Sequence, residues 1–321
     1  MNHPRLSSFT SRWLLALALV AAWLASPLVA QKGDPAAPTE HPFLWRIARE
    51  PACWLYGTIH VPHERVTNIP DMVMDAIEAS DVVLTEIRLD QVGGLMTKML
   101  LPKGTELADV VPKETMARLR AYLERKNTPA LLRQQIDRFK VWAGVMTLVQ
   151  LEMLEELQRN KPLDVVIWSE ARTADKEVDG LESVEEQLGV FEAFSTDEQV
   201  EMLDGTLDML EQLAADGHSF VDELVDVYLA GDEKKLQETL EKYSGTSGNE
   251  ELEARFEKLL LDDRNERMVE RMIKKMRAAP KRAFFFAVGA AHYPGEKGIL
   301  KLLRDAGFEV ERQVLATASA R

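Results

Sequence analysis

The sequence predicts an α/β (α+β) protein: a mixed central sheet built from both ends of the chain, with a long helical insertion between its halves. Three observations carry this. Short apolar runs bounded by turn residues cluster at 43–88 and again at 282–316, whereas the tract between them, about 92–280, carries apolar residues at helical spacing. The third is a phrase found once in each end, WLYGTIHVP at 54–62 and FAVGAAHYP at 286–294, each an apolar run followed by Gly-x-x-His-x-Pro.

Taken in order, FLWRIA (43–48) and ACWLYGTI (52–59) read as paired strands, PDMVMDAIEAS (70–80) as a helix opened by Pro70, and DVVLTEI (81–87) as a buried strand. The middle tract predicts helices over 113–126, 139–160, 196–217 and 264–279, each with an apolar stripe. One interruption, KEVDGLESVEEQ (176–187), reads as a strand entering a helix and returning to the sheet. The C-terminal end supplies a strand at 282–290, a helix over 294–307 ended by Gly307, and a further strand at 308–316. Residues 316–321 form a tail beyond the domain.

The N-terminus has a different character. Arg5 and Arg12 precede the apolar run Trp13–Leu24, Pro27 breaks it, and Ala30 offers a small residue for cleavage, so residues 1–30 read as a secretory signal peptide. The run is short for a membrane span of about 20 residues, and an uncleaved anchor is the alternative. Residues 31–42, rich in Pro and Ala, read as a tether. Nothing later is apolar enough to cross a bilayer, which predicts a periplasmic or extracellular domain with no transmembrane segment after cleavage.

The net charge is −14, and removing Arg5 and Arg12 takes it to −16. Such a surface repels phosphate backbones, and no basic stripe reverses that, so nucleic acid is excluded as a partner. The only cysteine, Cys53, lies in an apolar run, precludes any internal disulfide and reads as strand filling.

The repeated phrase has a chemical reading. A histidine just past the end of a buried strand sits at the sheet rim, where open α/β folds place ligands. Gly57 and Gly289 let the backbone turn or approach closely there, and Pro62 and Pro294 stiffen the exit. His60 and His292, 292 − 60 = 232 residues apart, would meet at one rim. The bland alternative is an internal duplication in which both histidines merely hydrogen-bond within turns. Glu86 favours the sharper reading, because a glutamate closing an apolar strand needs a partner if buried. A divalent metal satisfies it, and two histidines with a carboxylate are a common open ligand set.

His63 reads as a loop residue, His218 as part of an interhelical turn, and His41 as tether. Ser183 and Glu186 form a capping-box pattern, while Glu182 just before them has no such structural reason and is a candidate to face the site. Arg264 and Asn265 could orient a carboxylate or carbonyl oxygen, although a solvated helix face explains a charge run equally well. No Gly-x-Ser-x-Gly elbow, phosphate-binding loop or His-Glu-x-x-His helix is present, which removes the main signatures of acyl-serine, nucleotide and zincin chemistry.

Gly-Thr-Ile-His at 57–60, Glu86, Gly-Leu-Glu-Ser-Val-Glu-Glu-Gln at 180–187, Arg264-Asn265 and Gly-Ala-Ala-His at 289–292 together resemble the TraB/GumN family, relatives of the animal Tiki proteins. The resemblance spans roughly 43–315. It implies a fold shared distantly with erythromycin esterases and haem-binding ChaN-type lipoproteins, and a metallopeptidase activity with manganese or cobalt as candidate metals and zinc as a third. Carried over by residue, it implies His60, His292 and Glu86 at the metal, with Glu182 and Arg264 as further catalytic candidates. The expectation is an exported metal-dependent hydrolase acting on a peptide or protein. Glu86 would be either ligand or general base, and Arg264 the helper for a developing oxyanion. The alternative is an exported binding protein that sequesters a peptide, haem or metal.

Overall fold

A computed structural model describes residues 38–243 and 249–314. The predicted signal peptide, most of the tether and the C-terminal tail lie outside the described residues.

Among the described residues six strands form one sheet: β1 (Leu44–Ile47), β2 (Cys53–Thr58), β3 (Val82–Ile87), β4 (Glu177–Glu182), β5 (Phe284–Gly289) and β6 (Val310–Arg312), in the order β4-β3-β5-β2-β1-β6. The sheet is mixed. β4, β3, β5 and β2 run parallel, whereas β1 pairs antiparallel with β2 and with β6. Strands from both ends of the chain and one strand from the insertion therefore share a sheet, as the sequence predicts. β3 and β5 are buried at every position, which fits central parallel strands covered on both faces.

The decisive feature is the place of β5. β2, the helix Asp71–Glu78 and β3 make a strand–helix–strand unit in sequence, yet β2 and β3 are not neighbours, because β5 lies between them and pairs with both. The C-terminal strand thereby enters the middle of an N-terminal unit, and the residues following β2 and β5 emerge side by side.

The helical insertion follows its predicted stripes with modest changes. The segment expected as one helix over 139–160 is two, Val141–Leu151 and Leu154–Arg159. The first is buried at every residue, so it runs through the core and not across its surface. The helix expected from 294 begins at Ile299, and the last strand shrinks to three residues. Helix Asp263–Ala278 packs on β4 and on helix Ile299–Asp305. Its cations cover the β4 edge: Arg267 bonds Glu182, Arg271 bonds the Leu181 carbonyl and Glu186, and Lys275 bonds Asp179. Immediately before it the chain makes a π turn, Lys258–Asp262, a local widening that is frequent at functional sites. Cys53 is fully buried with its sulfur against the Phe284 amide, in keeping with strand filling.

Candidate functional site

Four parallel strands end on one rim, and each delivers a polar residue there: His60 two residues after β2, Glu86 within β3, Glu182 at the end of β4, and Gly289 and His292 at the end of β5 and just beyond it. The two Gly-x-x-His phrases do meet. His60 Nε2 lies 3.9 Å and His292 Nε2 lies 3.8 Å from the same oxygen, Glu86 Oε1.

Each imidazole is oriented by a partner on its other nitrogen. Asp164, in the first turn of helix Leu163–Thr173, places Oδ2 at 2.5 Å from His60 Nδ1, and its Oδ1 accepts from the Thr58 hydroxyl at 2.7 Å. His60 Nε2 is left buried and without a hydrogen-bond partner. Asn265 stands 2.6 Å from His292 Nδ1 through Oδ1, and its amide nitrogen donates to the Lys297 carbonyl at 3.0 Å. That second bond fixes which way the amide points, so Oδ1 is the acceptor and the proton of His292 sits on Nδ1. Both Nε2 atoms are thus turned towards Glu86.

Glu86 is held just as firmly. Its Oε1 accepts from the Gly289 amide at 2.8 Å, and Oε2 accepts from Gln187 at 3.0 Å and from Arg264 at 2.5 Å. Arg264 is completely buried. It donates through Nε to Glu182 and through Nη1 to the Leu260 carbonyl, and Nη1 stands 3.3 Å from His292 Nε2. With all its nitrogens engaged, Arg264 bridges two carboxylates beneath the site. Glu182 lies behind it, its side chain fully buried and also bonded by Arg267.

The electrostatics follow from these neighbours. Burial opposes charge on Glu86, but the Arg264 guanidinium, aided by His60, outweighs it and holds the carboxyl well below its usual range. Burial likewise opposes charge on His60, yet Asp164, reinforced by Glu86, pushes it up to about 10. Burial and the Arg264 charge push His292 down to about 3. The two histidines therefore pull stability in opposite directions with pH. The raised His60 contributes fully below its unfolded value of 6.5 and loses that contribution as pH climbs to about 10. The depressed His292 costs stability as pH falls from 6.5 towards 3, since only the unfolded chain takes up its proton. Chelator-treated protein is expected to be most stable near pH 6.5, falling on either side by at most about 1.4 kcal/mol per pH unit for each group. Urea midpoints at intervals between about pH 5 and pH 9 check this, and a flat profile would refute it.

Whether these residues suit a metal ion is a question of donor chemistry and room. Among the described residues no group of three or more His, Cys, Asp or Glu side chains stands ready-made to hold one. Two donors sharing an ion at about 2.1 Å each are at most about 4.2 Å apart, and the Glu86–histidine separations fall inside that limit. Gly289 supplies the room. A Cβ there would meet Glu86 Oε1 at 3.1 Å, His292 Cδ2 at 3.5 Å and His60 Nε2 at 3.6 Å, so the missing side chain leaves a small space ringed by the three residues. The orphaned His60 nitrogen, the outer partners on both imidazoles and this space fit an ion, at the cost of the Arg264–His292 contact. Gly57 serves packing instead, since a Cβ there would meet Phe43 at 2.8 Å.

A cavity of about 360 Å³ opens over the histidines, between the β2 and β5 exits, helices Phe220–Ala230 and Glu233–Tyr243, and the π turn. Aliphatic side chains form a large part of its walls. His63 caps the short helix Glu64–Thr67 and is half-buried, and His218 is exposed beside Gly217. Asp164 and Gln187 are site residues that the sequence reading missed. Each sits on the buried stripe of its helix, with Ile167, Trp168 and Ala171 in one case and Val184, Leu188 and Phe191 in the other. A polar residue on an apolar stripe is the signal that would have found them.

An α/β sheet whose strand ends gather two oriented imidazoles and a buried carboxylate under an apolar cavity defines a class of protein with a candidate metal-dependent site. The chain belongs to the TraB/PrgY/gumN family, whose model matches residues 43–312. It is 30% identical over 308 residues to Metalloprotease TIKI1 of Danio rerio, covering 84% of this chain and 62% of that protein. It is 29% identical to Metalloprotease TIKI1 of Homo sapiens, covering 84% and 61%, and 29% identical to the Metalloprotease TIKI homolog of Nematostella vectensis, covering 88% and 69%. The chain thus spans about three fifths of the length of the two vertebrate relatives. No solved structure matches it. No helix among the described residues is long and apolar enough to cross a membrane.

Proposed function

We propose that this protein is an exported, Tiki-like metallopeptidase that hydrolyses peptide bonds at the His60–Glu86–His292 centre. The observation that carries the reading is the convergence of both Nε2 atoms on Glu86 Oε1 around the space over Gly289. The relatives' name, metalloprotease, supports the reaction class, and the apolar run Trp13–Leu24 supports export.

His60, His292 and Glu86 Oε1 would hold a divalent ion, with manganese or cobalt favoured and zinc a third candidate. Bound there, such an ion supplies Lewis acidity to a carbonyl oxygen and lowers the pKa of a water. The chain's own groups do the rest. Asp164 and Asn265 keep each imidazole in the tautomer whose Nε2 is a donor to metal. Arg264 and Gln187 pin Glu86 Oε2, which leaves Oε1 as the oxygen facing the histidines and makes the carboxylate a ligand in preference to a base. Arg264 is a positioning residue in this reading and so is Glu182, which fixes the guanidinium. The reaction adds the oxygen of one water to the carbonyl carbon, breaks the C–N bond and returns a proton to the leaving nitrogen.

The test is peptide-library cleavage with metal content measured on the same samples. Wild type should cleave, chelator-treated protein should not, and Glu86→Gln should lose metal and turnover together, because an amide is a weaker donor than a carboxylate. Full metal retention with turnover lost would make Glu86 the base. Cleavage surviving both treatments would reject the centre, and a wild type that binds peptide or haemin without turnover would point to sequestration.

A further inference from the structure

The cavity above the histidines is chemically divided. Beside His60, His292 and Asn265 its lining turns aliphatic, with Ile59, Val61, Leu224 and Leu236 buried and Leu240 and Leu261 half-buried. The charged residues that line it, apart from the histidines, are half-buried or exposed, and two of them, Lys297 and Asp262, neutralise each other at 3.2 Å. The Tyr228 hydroxyl donates to the Gly57 carbonyl at 2.8 Å, so the residue offers the cavity its ring. At about 360 Å³ the space is ligand-sized. The π turn contributes to its shape, because the widened backbone lets Leu260, Leu261 and Asp262 all reach the lining.

We propose that this cavity is the subsite for one bulky apolar side chain, of leucine or phenylalanine type, of an extended peptide, and that it directs cleavage to the bond beside that residue. The inference deepens the peptidase reading and rests on it. Ile59 and Val61 are the chain neighbours of His60, and consecutive Cα atoms are about 3.8 Å apart. The apolar wall therefore begins within one residue's reach of the reacting centre, and the side chain that fills it belongs to a residue flanking the scissile bond. A charged side chain entering the same space would lose its water against the aliphatic walls.

The experiment uses fluorescein-labelled quenched peptides that differ at one position, Leu, Phe, Ala, Asp or Lys, on either side of the cut, with products located by mass spectrometry. Leu and Phe should exceed Ala in kcat/KM by roughly 10- to 200-fold, and Asp and Lys should not be cut. Leu240→Asp and Leu261→Asp, both at half-buried positions, should shift the preference towards Lys, a gain that misfolding cannot produce. A second arm measures binding of the unquenched peptides to chelator-treated protein by anisotropy, where the same ranking should appear without turnover. Ranked binding with no cleavage by metal-loaded wild type would uphold the subsite and sink the peptidase reading. Cleavage and binding indifferent to the side chain would overturn the subsite and leave that reading standing.

Discussion

His60→Ala and His292→Ala are each expected to lose at least about 100-fold in metal affinity and to abolish peptide turnover, while the double variant is scarcely worse than either single one. Loss of an outer-sphere partner alone costs about 10- to 100-fold, and these substitutions remove the donor itself. Residues that act on one ion are strongly non-additive, since the second deletion removes what the first has already disabled. Gly289→Ala probes the same point from the backbone. Its φ of −50° suits alanine, so the fold should persist, but the new methyl would stand 3.1 Å from Glu86 Oε1 in the space the three residues enclose. Metal analysis after equilibrium dialysis reads all four proteins. Full occupancy in either single histidine variant would show that the two phrases do not serve one ion.

Arg264→Met should destabilise the protein by about 3–5 kcal/mol at neutral pH, a large part of the ~5–15 kcal/mol that holds a typical domain together. The guanidinium lies between Glu86 and Glu182, all three buried, and removing it leaves two carboxylates facing each other in a dry environment. Arg264→Lys should recover little, because an ammonium cannot bridge two carboxylates and a carbonyl with a planar fork. The deficit has a pH signature. The depressed Glu86 carboxyl contributes stability that is present above its unfolded value of 4.5 and is lost as pH falls below it. The gap between wild type and Arg264→Met should therefore be widest above about pH 5 and narrow in acid. Urea unfolding at several pH values measures it, and coincident midpoints at pH 7 would mean that the bridge contributes nothing.

Much of this molecule is legible in its sequence. Apolar runs at the two ends specified the strands, helical spacing specified the insertion, and the duplicated Gly-x-x-His specified two histidines at strand exits. Glu86 announced itself because a carboxylate inside DVVLTEI has no solvent to face. Arg264 and Asn265 were harder, since RNER reads as a wet charge run. Their burial is visible only once they are set on the stripe of Met268, Val269, Met272 and Met276, which they continue towards the helix N-terminus. Asp164 looked like an ordinary acidic residue in a first helical turn, and only its stripe position separates it from one.

The kinds of residue available to the site follow from the amino-acid order alone, because strand ends and apolar stripes are local properties of the chain. The meeting of those residues was a tertiary decision. β5 had to enter between β2 and β3, since sheet order depends on which buried strands pair best and not on their order along the chain. That insertion set Gly289 against Glu86 and brought His292 within 3.8 Å of the oxygen that His60 also faces. The structure also decided the task of Arg264, whose bonds to Glu86 and Glu182 join helix Asp263–Ala278 to two strands. Pairing of buried charges across 178 and 82 residues of sequence is set by packing, and no local pattern encodes it.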